Sequence, residues 1–585
     1  MDGRNPYLIS KVLKSFLWAS VLAAVSTQLA TTTDAIVVGN LIGPDAISGI
    51  NVDMPVITLF TCVMILFGIG ASVAAAKAIG SRDQQRADGI FTSCLISSTG
   101  VCIVLALFIY IFSEEIVELL TGGNAGISSY GVIYLRVMCL AMPFMMIASI
   151  LEYFVRTDGN PRTVMTGVIA GSIVNLVLDI VFIKFCNTGI AGSAYATGIN
   201  YIVTILVCLS HFGSKNSSLR WRLDLKYFFN YVGLSVQQGF AMAINTFLLS
   251  VSIMALNAIV LFSRGSEGMY CWSVCLQVFM IMQMVLSGIG SSIFSLGGIL
   301  VGEGDMKGLS ILNLKTILYT VIAMGAVTAF LLSAPGEFGR LFGSGFTDDG
   351  GTLSAALRIY SLMLIPYSIL AELRSNYQII GRYSLSLWLS VAQLFIMVLF
   401  VWGFSFLSGN AIWWGFPASS ICLFVGVLIY STVTVSRHRG ELQILTLIPK
   451  NESVPALNVS VKITDSDIES SMSKIVDFLK ENSVDEGTIF DVRLACEELL
   501  NNILQHAVKR NAEKHYIDVH LRCEPSTINV LIKDDGKAFD PTLPLEEDDE
   551  PGKRIGLRLV NGLGVKMSYR FMYDQNTVQL IFPRN

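Results

Sequence analysis

Two groups of residues in this chain have types and spacings that could do chemistry. The first is a pair of carboxylates inside apolar runs. Asp34 lies in Thr31-Thr32-Thr33-Asp34-Ala35-Ile36-Val37-Val38-Gly39-Asn40, and Asp179 closes Asn175-Leu176-Val177-Leu178-Asp179. A charged side chain held in hydrocarbon is costly, so one that persists there tends to be functional. Counted at 1.5 Å per residue from about Phe16 and Val164, Asp34 and Asp179 lie roughly 27 and 22 Å along their helices. Asn175 is four residues before Asp179 and shares its helix face. Thr197, early in the next apolar run, falls at a comparable level. Two carboxyl groups with amide and hydroxyl oxygens beside them can hold a proton or Na⁺ and release it when water or substrate enters. The plainer alternative is that Asp34 marks the outer end of a short helix.

The second group is near the C-terminus. Glu498-Leu499-Leu500-Asn501-Asn502 places Glu498 and Asn502 one helical turn apart. A carboxylate there can be general base toward a hydroxyl or water, and an amide oxygen there can hold Mg²⁺, which favours oxygen ligands and triphosphate. In Asp534-Asp535-Gly536, Asp534 can accept from an adenine amino group while Gly536 leaves room for the ring. Gly552 and Gly556 open a helix whose N-terminal amides suit phosphate. Each piece alone is common: a Glu-x-x-x-Asn pair is usually a solvated helix face, and Asp-Asp-Gly is usually a turn. The ordered series from 498 to 556 is far more specific. No Gly-x-x-x-x-Gly-Lys-Ser/Thr loop exists, which argues against a P-loop NTPase.

These groups need very different surroundings, and the composition supplies them. Of 585 residues, 53% are hydrophobic and 14% charged, well below the roughly 25% charged of an average soluble protein. Positions 450–585 hold 40 Asp, Glu, Lys and Arg residues and positions 1–449 hold 44. The first part is membrane-like and the second is soluble-like. The net charge of −4 gives no basic field, so no nucleic-acid partner is expected. The 11 cysteines include no Cys-x-x-Cys pair and read as small buried hydrophobes.

Runs long enough to span a bilayer fall at 15–40, 53–78, 89–112, 131–152, 163–185 and 190–211, then at 230–260, 271–299, 311–333, 355–378, 384–407 and 411–434. Lys and Arg gather at the N-terminus and in the even-numbered loops, among them Arg82, Arg86, Arg156, Arg162, Arg220 and Arg222. Loops one and three carry Asp45, Asp53, Glu114, Glu115 and Glu118 instead. Both termini and the soluble part are therefore expected in the cytoplasm. The two sets of six repeat: Gly68 and Gly290, Gly80 and Gly302, Asp83 and Asp305, and Gly159 and Gly381 all differ by 222 positions. An even helix count makes the repeat parallel, an architecture of transporters. The second copy carries Gln237, Gln238, Asn245, Asn257, Gln277 and Gln283 and few carboxylates, which points to ion coupling in the first copy only.

The expected fold is a polytopic α-helical membrane protein with two six-helix bundles, followed by an α/β sandwich. The expected boundaries are 1–222 and 223–440 for the bundles, 441–456 for a linker, and 457–585 for the soluble domain. In that domain strands are expected at 457–463, 516–522 and 527–533, helices at 465–481 and 485–508, and a helix and two strands at the end.

The Asp-x-x-x-x-Gly of the first run, Gly68-Ile69-Gly70-Ala71-Ser72 leading to Gly80-Ser81-Arg82-Asp83, and Arg156-Thr157-Asp158-Gly159-Asn160-Pro161 resemble the MATE (multidrug and toxic compound extrusion) family. So does Asn175 to Asp179 followed by Gly189-Ile190-Ala191-Gly192-Ser193-Ala194. The resemblance covers about 10–440. It implies efflux of organic cations or similar amphiphiles in exchange for protons or sodium, with Asp34, Asn175, Asp179 and Thr197 matching the N-lobe cation site. Asn245 lies near where some members carry a glutamate.

Residues 457–585 resemble the GHKL (Bergerat-fold) ATP-binding domains, and most closely the anti-sigma-factor serine kinases. That implies ATP and Mg²⁺ as cofactors, Glu498 as base, Asn502 on Mg²⁺ and Asp534 on adenine. Ala538 stands where that family often has glycine. A sensor histidine kinase would need a phospho-acceptor histidine on a dimerising helix, and between the last run and His506 there is only His438, at the membrane edge. Together the resemblances imply an ion-coupled antiporter of the bacterial cytoplasmic (inner) membrane with an ATP-binding, serine-kinase-like regulatory domain. The alternative is a receptor-kinase whose transporter-like half senses a ligand and controls phosphorylation of an anti-anti-sigma-like (STAS) partner.

Overall fold

The structure is a computed structural model, and it describes residues 5–122, 125–214, 217–340, 351–462, 465–504, 515–543, 560 and 562–584. The chain divides into two units. One comprises Leu17–Glu303 and Leu312–Ile448, and the other comprises Met1–Phe16, Gly304–Ile311 and Pro449–Asn585.

The larger unit is helical, because its sequence offers long apolar runs whose backbone groups must be satisfied within the segment. Among the described residues of the chain, 11 helical segments are long and apolar enough to cross a membrane. One of them, Phe228–Glu303, is 76 residues long and contains two of the expected runs, so all twelve are present. Inside the Phe228–Ser292 helix, Gly265 adopts φ 62° and ψ −152°, a left-handed break that glycine tolerates and a β-branched residue would not.

Glycines also set how closely the helices of this unit approach. A Cβ on Gly70 would lie 1.9 Å from the Ser235 carbonyl oxygen, and one on Gly239 would lie 1.9 Å from that of Leu66. Gly80 and Gly302, equivalent positions of the repeat, face each other: a Cβ on Gly80 would be 2.2 Å from Ile299 O, and one on Gly302 2.2 Å from Lys77 O. The internal repeat thus meets itself at the same glycine. Overpacking a tight contact costs about 1–3 kcal/mol and sometimes more. Gly70→Val should therefore lower the thermal midpoint of the purified protein by several degrees, as read by a fluorescence melt. An unchanged midpoint would contradict this packing. Asp83 and Asp305, also equivalent, do the same local work. Asp83 accepts from Arg86 N at 3.1 Å and Asp305 from Gly308 N at 2.7 Å, each at the start of the helix that follows.

The smaller unit is α/β. Strands β1 (Ala456–Lys462), β2 (Tyr516–Cys523), β3 (Thr527–Asp534), β4 (Lys566–Met572) and β5 (Gln575–Pro583) form one antiparallel sheet in the order β1-β2-β3-β5-β4. Alternate residues of β5 are buried, the period-two signature of a sheet with one covered face. The helices Asp465–Glu481 and Glu486–Asn502 cover it. Ile475, Leu479, Val492, Ala495 and Leu499 share one core with Val519, Val530, Val578 and Leu580. Asp485 starts the second helix by accepting from Thr488 N at 2.9 Å.

The stretch 441–448 packs within the larger unit. Leu442 and Leu447 are buried beside Leu370 and Tyr377, and Asn376 Nδ2 donates to Thr446 O at 2.8 Å.

Candidate functional sites

The Tyr7–Leu41 helix carries Asp34, and the Pro161–Ile180 helix carries Asn175 and Asp179. The fold brings the two carboxyl groups close to each other, with no hydrogen bond between them. Asp179 is fully buried and Asn175 is 1% exposed. Neither Asp179 oxygen receives a well-oriented hydrogen bond, and Asn175 Nδ2 makes none. Thr197 is half-buried, and its hydroxyl donates to Ser193 O at 3.0 Å. A one-turn π-helix, Val181–Phe185, begins two residues after Asp179, a distortion frequent at functional sites. Ser193, which the sequence reading passed over as part of a glycine-rich stretch, lies beside Asp179. The rings of Tyr134 and Tyr201 are close enough to feel the field of Asp34.

Asp53, read from sequence as a loop acid, is fully buried between the Pro44–Val52 and Met54–Gly80 helices, with neither oxygen hydrogen-bonded. Among the described residues, these carboxylates pair with no cationic side chain. Their charge must be met by a proton or a cation.

Beside the amides singled out from its sequence, the second bundle holds buried charge. Glu372 and Arg374, on the Leu364–Ile379 helix, are 2% and 6% exposed. Glu372 faces Thr320 Oγ1 at 3.3 Å. Arg374 Nη1 donates to Asn245 Oδ1 at 2.7 Å and Gln393 Oε1 at 3.1 Å. The signal was present in Ala371-Glu372-Leu373-Arg374, which a span-length search absorbs into an otherwise apolar run. A polar cavity of about 600 Å³ is lined by Arg86, Tyr227, Tyr231 and Gln237, among others, on the face bearing the Arg-rich loops.

In the α/β unit, Glu498 and Asn502 are half-buried and one turn apart on the Glu486–Asn502 helix. Asp534 ends β3 and is 3% exposed. Its Oδ1 accepts from Gly536 N at 2.8 Å and from Asn576 Nδ2 at 2.9 Å. Burial pushes its pKa up, and these two bonds oppose that. Asn576 is the residue paired with Asp534 in the β3–β5 register. It also donates to Lys537 O at 3.0 Å and accepts from Tyr569 OH at 2.7 Å. It therefore fixes both the carboxylate and the turn after it.

With Oδ1 committed, the second oxygen of Asp534 is the one placed to accept from a base amino group, so the residues present fit adenine. The Asn502 amide oxygen fits a hard cation. Gly552 and Gly556, and the acidic stretch 546–550, lie outside the described residues. Asn576→Leu should leave Asp534 unoriented and weaken ATP binding by about 10- to 100-fold, the value of a hydrogen bond to a charged group. Isothermal titration of the full chain would read it, and unchanged affinity would contradict the role.

Asp535, whose side chain is 1% exposed, is gripped by the unit's own N-terminal segment. Lys11 Nζ is 2.5 Å away, Tyr7 OH donates at 3.1 Å, and His515 Nδ1 lies at 2.9 Å. Burial pushes this carboxyl up, but the bonds and charges of Lys11 and His515 outweigh it, so its pKa is lowered. A lowered pKa adds stability above the unfolded value, and that stability is lost as pH falls through the folded one. Acidification should therefore release the N-terminal segment, and Lys11→Ala should move that release to higher pH, as seen by limited proteolysis. Elsewhere in this unit, Asp305, Glu452 and His520 place ligand atoms within 4.8 Å of one another. Arg522 Nε approaches Glu452 at 3.9 Å, so the cluster is a mixed-charge network rather than a cation cage.

Residues 19–181 match the MatE family, and residues 464–582 match the histidine kinase-like ATPase domain. The chain is 26% identical over 450 residues to the probable multidrug resistance protein YoeA of Bacillus subtilis, which covers 71% of this chain and 94% of that protein. It is 23% identical over 438 residues to the multidrug export protein MepA of Staphylococcus aureus, which covers 72% and 94%. Among solved structures it is similar to a MOP superfamily transporter from Pyrococcus furiosus, with a TM-score of 0.66, 21% identity and coverage of 73% and 96%. It is likewise similar to a multidrug resistance MATE family transporter in an outward-facing conformation, with a TM-score of 0.66, 21% identity and coverage of 75% and 100%. The membrane part therefore has the MATE fold, and a histidine kinase-like ATPase domain follows it.

Proposed function

We propose that this chain, in which a MatE domain is joined to a histidine kinase-like ATPase domain, is a cation-coupled efflux antiporter for amphiphilic organic compounds, regulated by ATP. The observation that carries this reading is the apposition of Asp34 and Asp179 in the first bundle. The buried Asp179 and the half-buried Asp34, neither of them ion-paired among the described residues, bind a proton or Na⁺ when the site is closed to water, and Asn175 and Thr197 supply further oxygens for the ion. Rocking of one bundle against the other opens the site to the opposite side, where the ion leaves and a cationic substrate takes its place. The relatives named as multidrug proteins support the substrate class. The Lys- and Arg-rich even-numbered loops support a bacterial cytoplasmic membrane with both termini inside.

Collapsing the proton and sodium gradients separately in energised vesicles tests the coupling. Loss of dye efflux with one of them is expected, and indifference to both would overturn the antiporter.

ATP is assigned to the α/β unit, with Asp534 on the base, Asn502 toward Mg²⁺ and Glu498 as general base. When bound, the nucleotide supplies a transferable phosphoryl group. One such domain per chain makes regulation a better role for it than propulsion. A second reading, a receptor-kinase acting on a STAS-like partner, is favoured by one specific feature: Glu498 and Asn502 together form a base and cation-ligand pair, which nucleotide sensing alone would not require.

A further inference from the structure

Arg374 is a buried cation of the second bundle with one edge of its guanidinium unfilled. The guanidinium carries five N–H donors in a planar fork, and Nη1 donates to the neutral oxygens of Asn245 and Gln393. Nε is buried and without an acceptor. Nε and Nη2 form the side-on edge of the fork, the edge that pairs bidentately with a carboxylate or phosphate. Asn245 and Gln393 orient the group and hold its opposite edge, yet neither neutralises it.

Glu372 lies near enough for its charge to be felt by Arg374, but no hydrogen bond joins the two side chains. It is two residues away, and residues so spaced on a helix do not face each other. Its carboxyl turns instead to Thr320 on the Met306–Ser333 helix. A buried guanidinium with only neutral acceptors is a costly arrangement. Lysine could not present this geometry, since its ammonium has no flat edge.

We infer that Arg374 is the anchor of an oxyanion subsite in the second bundle, taking a carboxylate or phosphate group of an amphiphile. The antiporter would then accept zwitterionic or anionic amphiphiles as well as cations. The cationic group would be met by the first bundle and the oxyanion by the second. The substrate class rests on the transport reading above, but the subsite itself does not.

The test uses the full chain in nanodiscs of phosphatidylcholine and reads binding rather than transport. The probes are a dansylated undecanoic acid and its methyl ester, which differ only in the anion. Wild type should prefer the acid by about 10- to 100-fold, the worth of a charge-assisted hydrogen-bonded pair. Arg374→Gln should erase the preference, and Arg374→Lys should keep only part of it, which separates fork geometry from charge and from misfolding.

A phospholipid headgroup is the other source of the same chemistry. If the probes show no preference but native mass spectrometry finds phosphatidylglycerol retained by wild type, reduced in Arg374→Lys and lost from Arg374→Gln, the subsite holds and the lipid occupies it. Neither acid preference nor Arg374-dependent lipid would overturn the proposal. Acid preference without any gradient-driven movement would keep the subsite and remove the antiporter.

Discussion

Asp179→Asn is expected to reduce gradient-driven efflux to the level of vesicles lacking the protein. Asparagine matches the shape of a protonated carboxyl but cannot release the proton, so the exchange stops at the ion-loaded state. Asp179 should tolerate this less well than its neighbours because it is fully buried, and because its charge is met only by what it binds. Asp34→Asn should also stop coupled efflux if, as proposed, the two carboxyls act as one site. Asn175→Ala should weaken ion binding yet leave residual exchange. Dye efflux from energised vesicles reads all three, with protein level and monodispersity as controls. Full efflux by either aspartate variant would remove the pair from the coupling mechanism.

The second large effect is a split within the ATPase domain. Asn502→Ala should weaken Mg-ATP binding by about 10- to 100-fold, as expected for losing a polar contact to a charged ligand. Glu498→Gln should bind Mg-ATP normally and lose about 100- to 10,000-fold in phosphoryl turnover, the usual share of a positioned general base. Titration of the nucleotide and single-turnover product formation separate the two. If Glu498→Gln lost binding and Asn502→Ala lost only turnover, the roles assigned to the two side chains would be exchanged.

Much of this arrangement is legible in the sequence, where a local pattern suffices. Twelve apolar runs appear as helices because span length is a property of contiguous residues. Only the break between the seventh and eighth, at Gly265, is less sharp than expected, since the helix resumes directly after it. Strands β1 to β3 fall within one or two residues of their expected positions, because alternation marks a half-covered sheet. The 222-residue offset also carried tertiary meaning, since Gly80 and Gly302 pack against each other.

What sequence could not provide was partnership. Asn576 is 42 residues from Asp534 and is delivered by the β3–β5 register, which no local pattern encodes. Ser193 and the two tyrosines reach the Asp34–Asp179 pair through helix packing. Asp53 looks like a loop acid until the fold buries it. Arg374 was hidden by the apolar residues around it, and its meaning depends on Asn245 and Gln393, which come from two other helices. The resemblances named the roles of Asp34, Asp179, Glu498 and Asn502. The geometry adds the group that orients Asp534, the side chain of Asn576.

The most direct test of the antiporter with an ATP-reading domain is reconstitution of the full chain in liposomes. An imposed cation gradient would drive dye movement, with and without Mg-ATP on the side of the ATPase domain. The account predicts movement that requires the gradient and changes in rate when Mg-ATP is present, with Asn502→Ala insensitive to it. Absence of gradient-driven movement in protein that still binds Mg-ATP would contradict it and leave the receptor-kinase in its place.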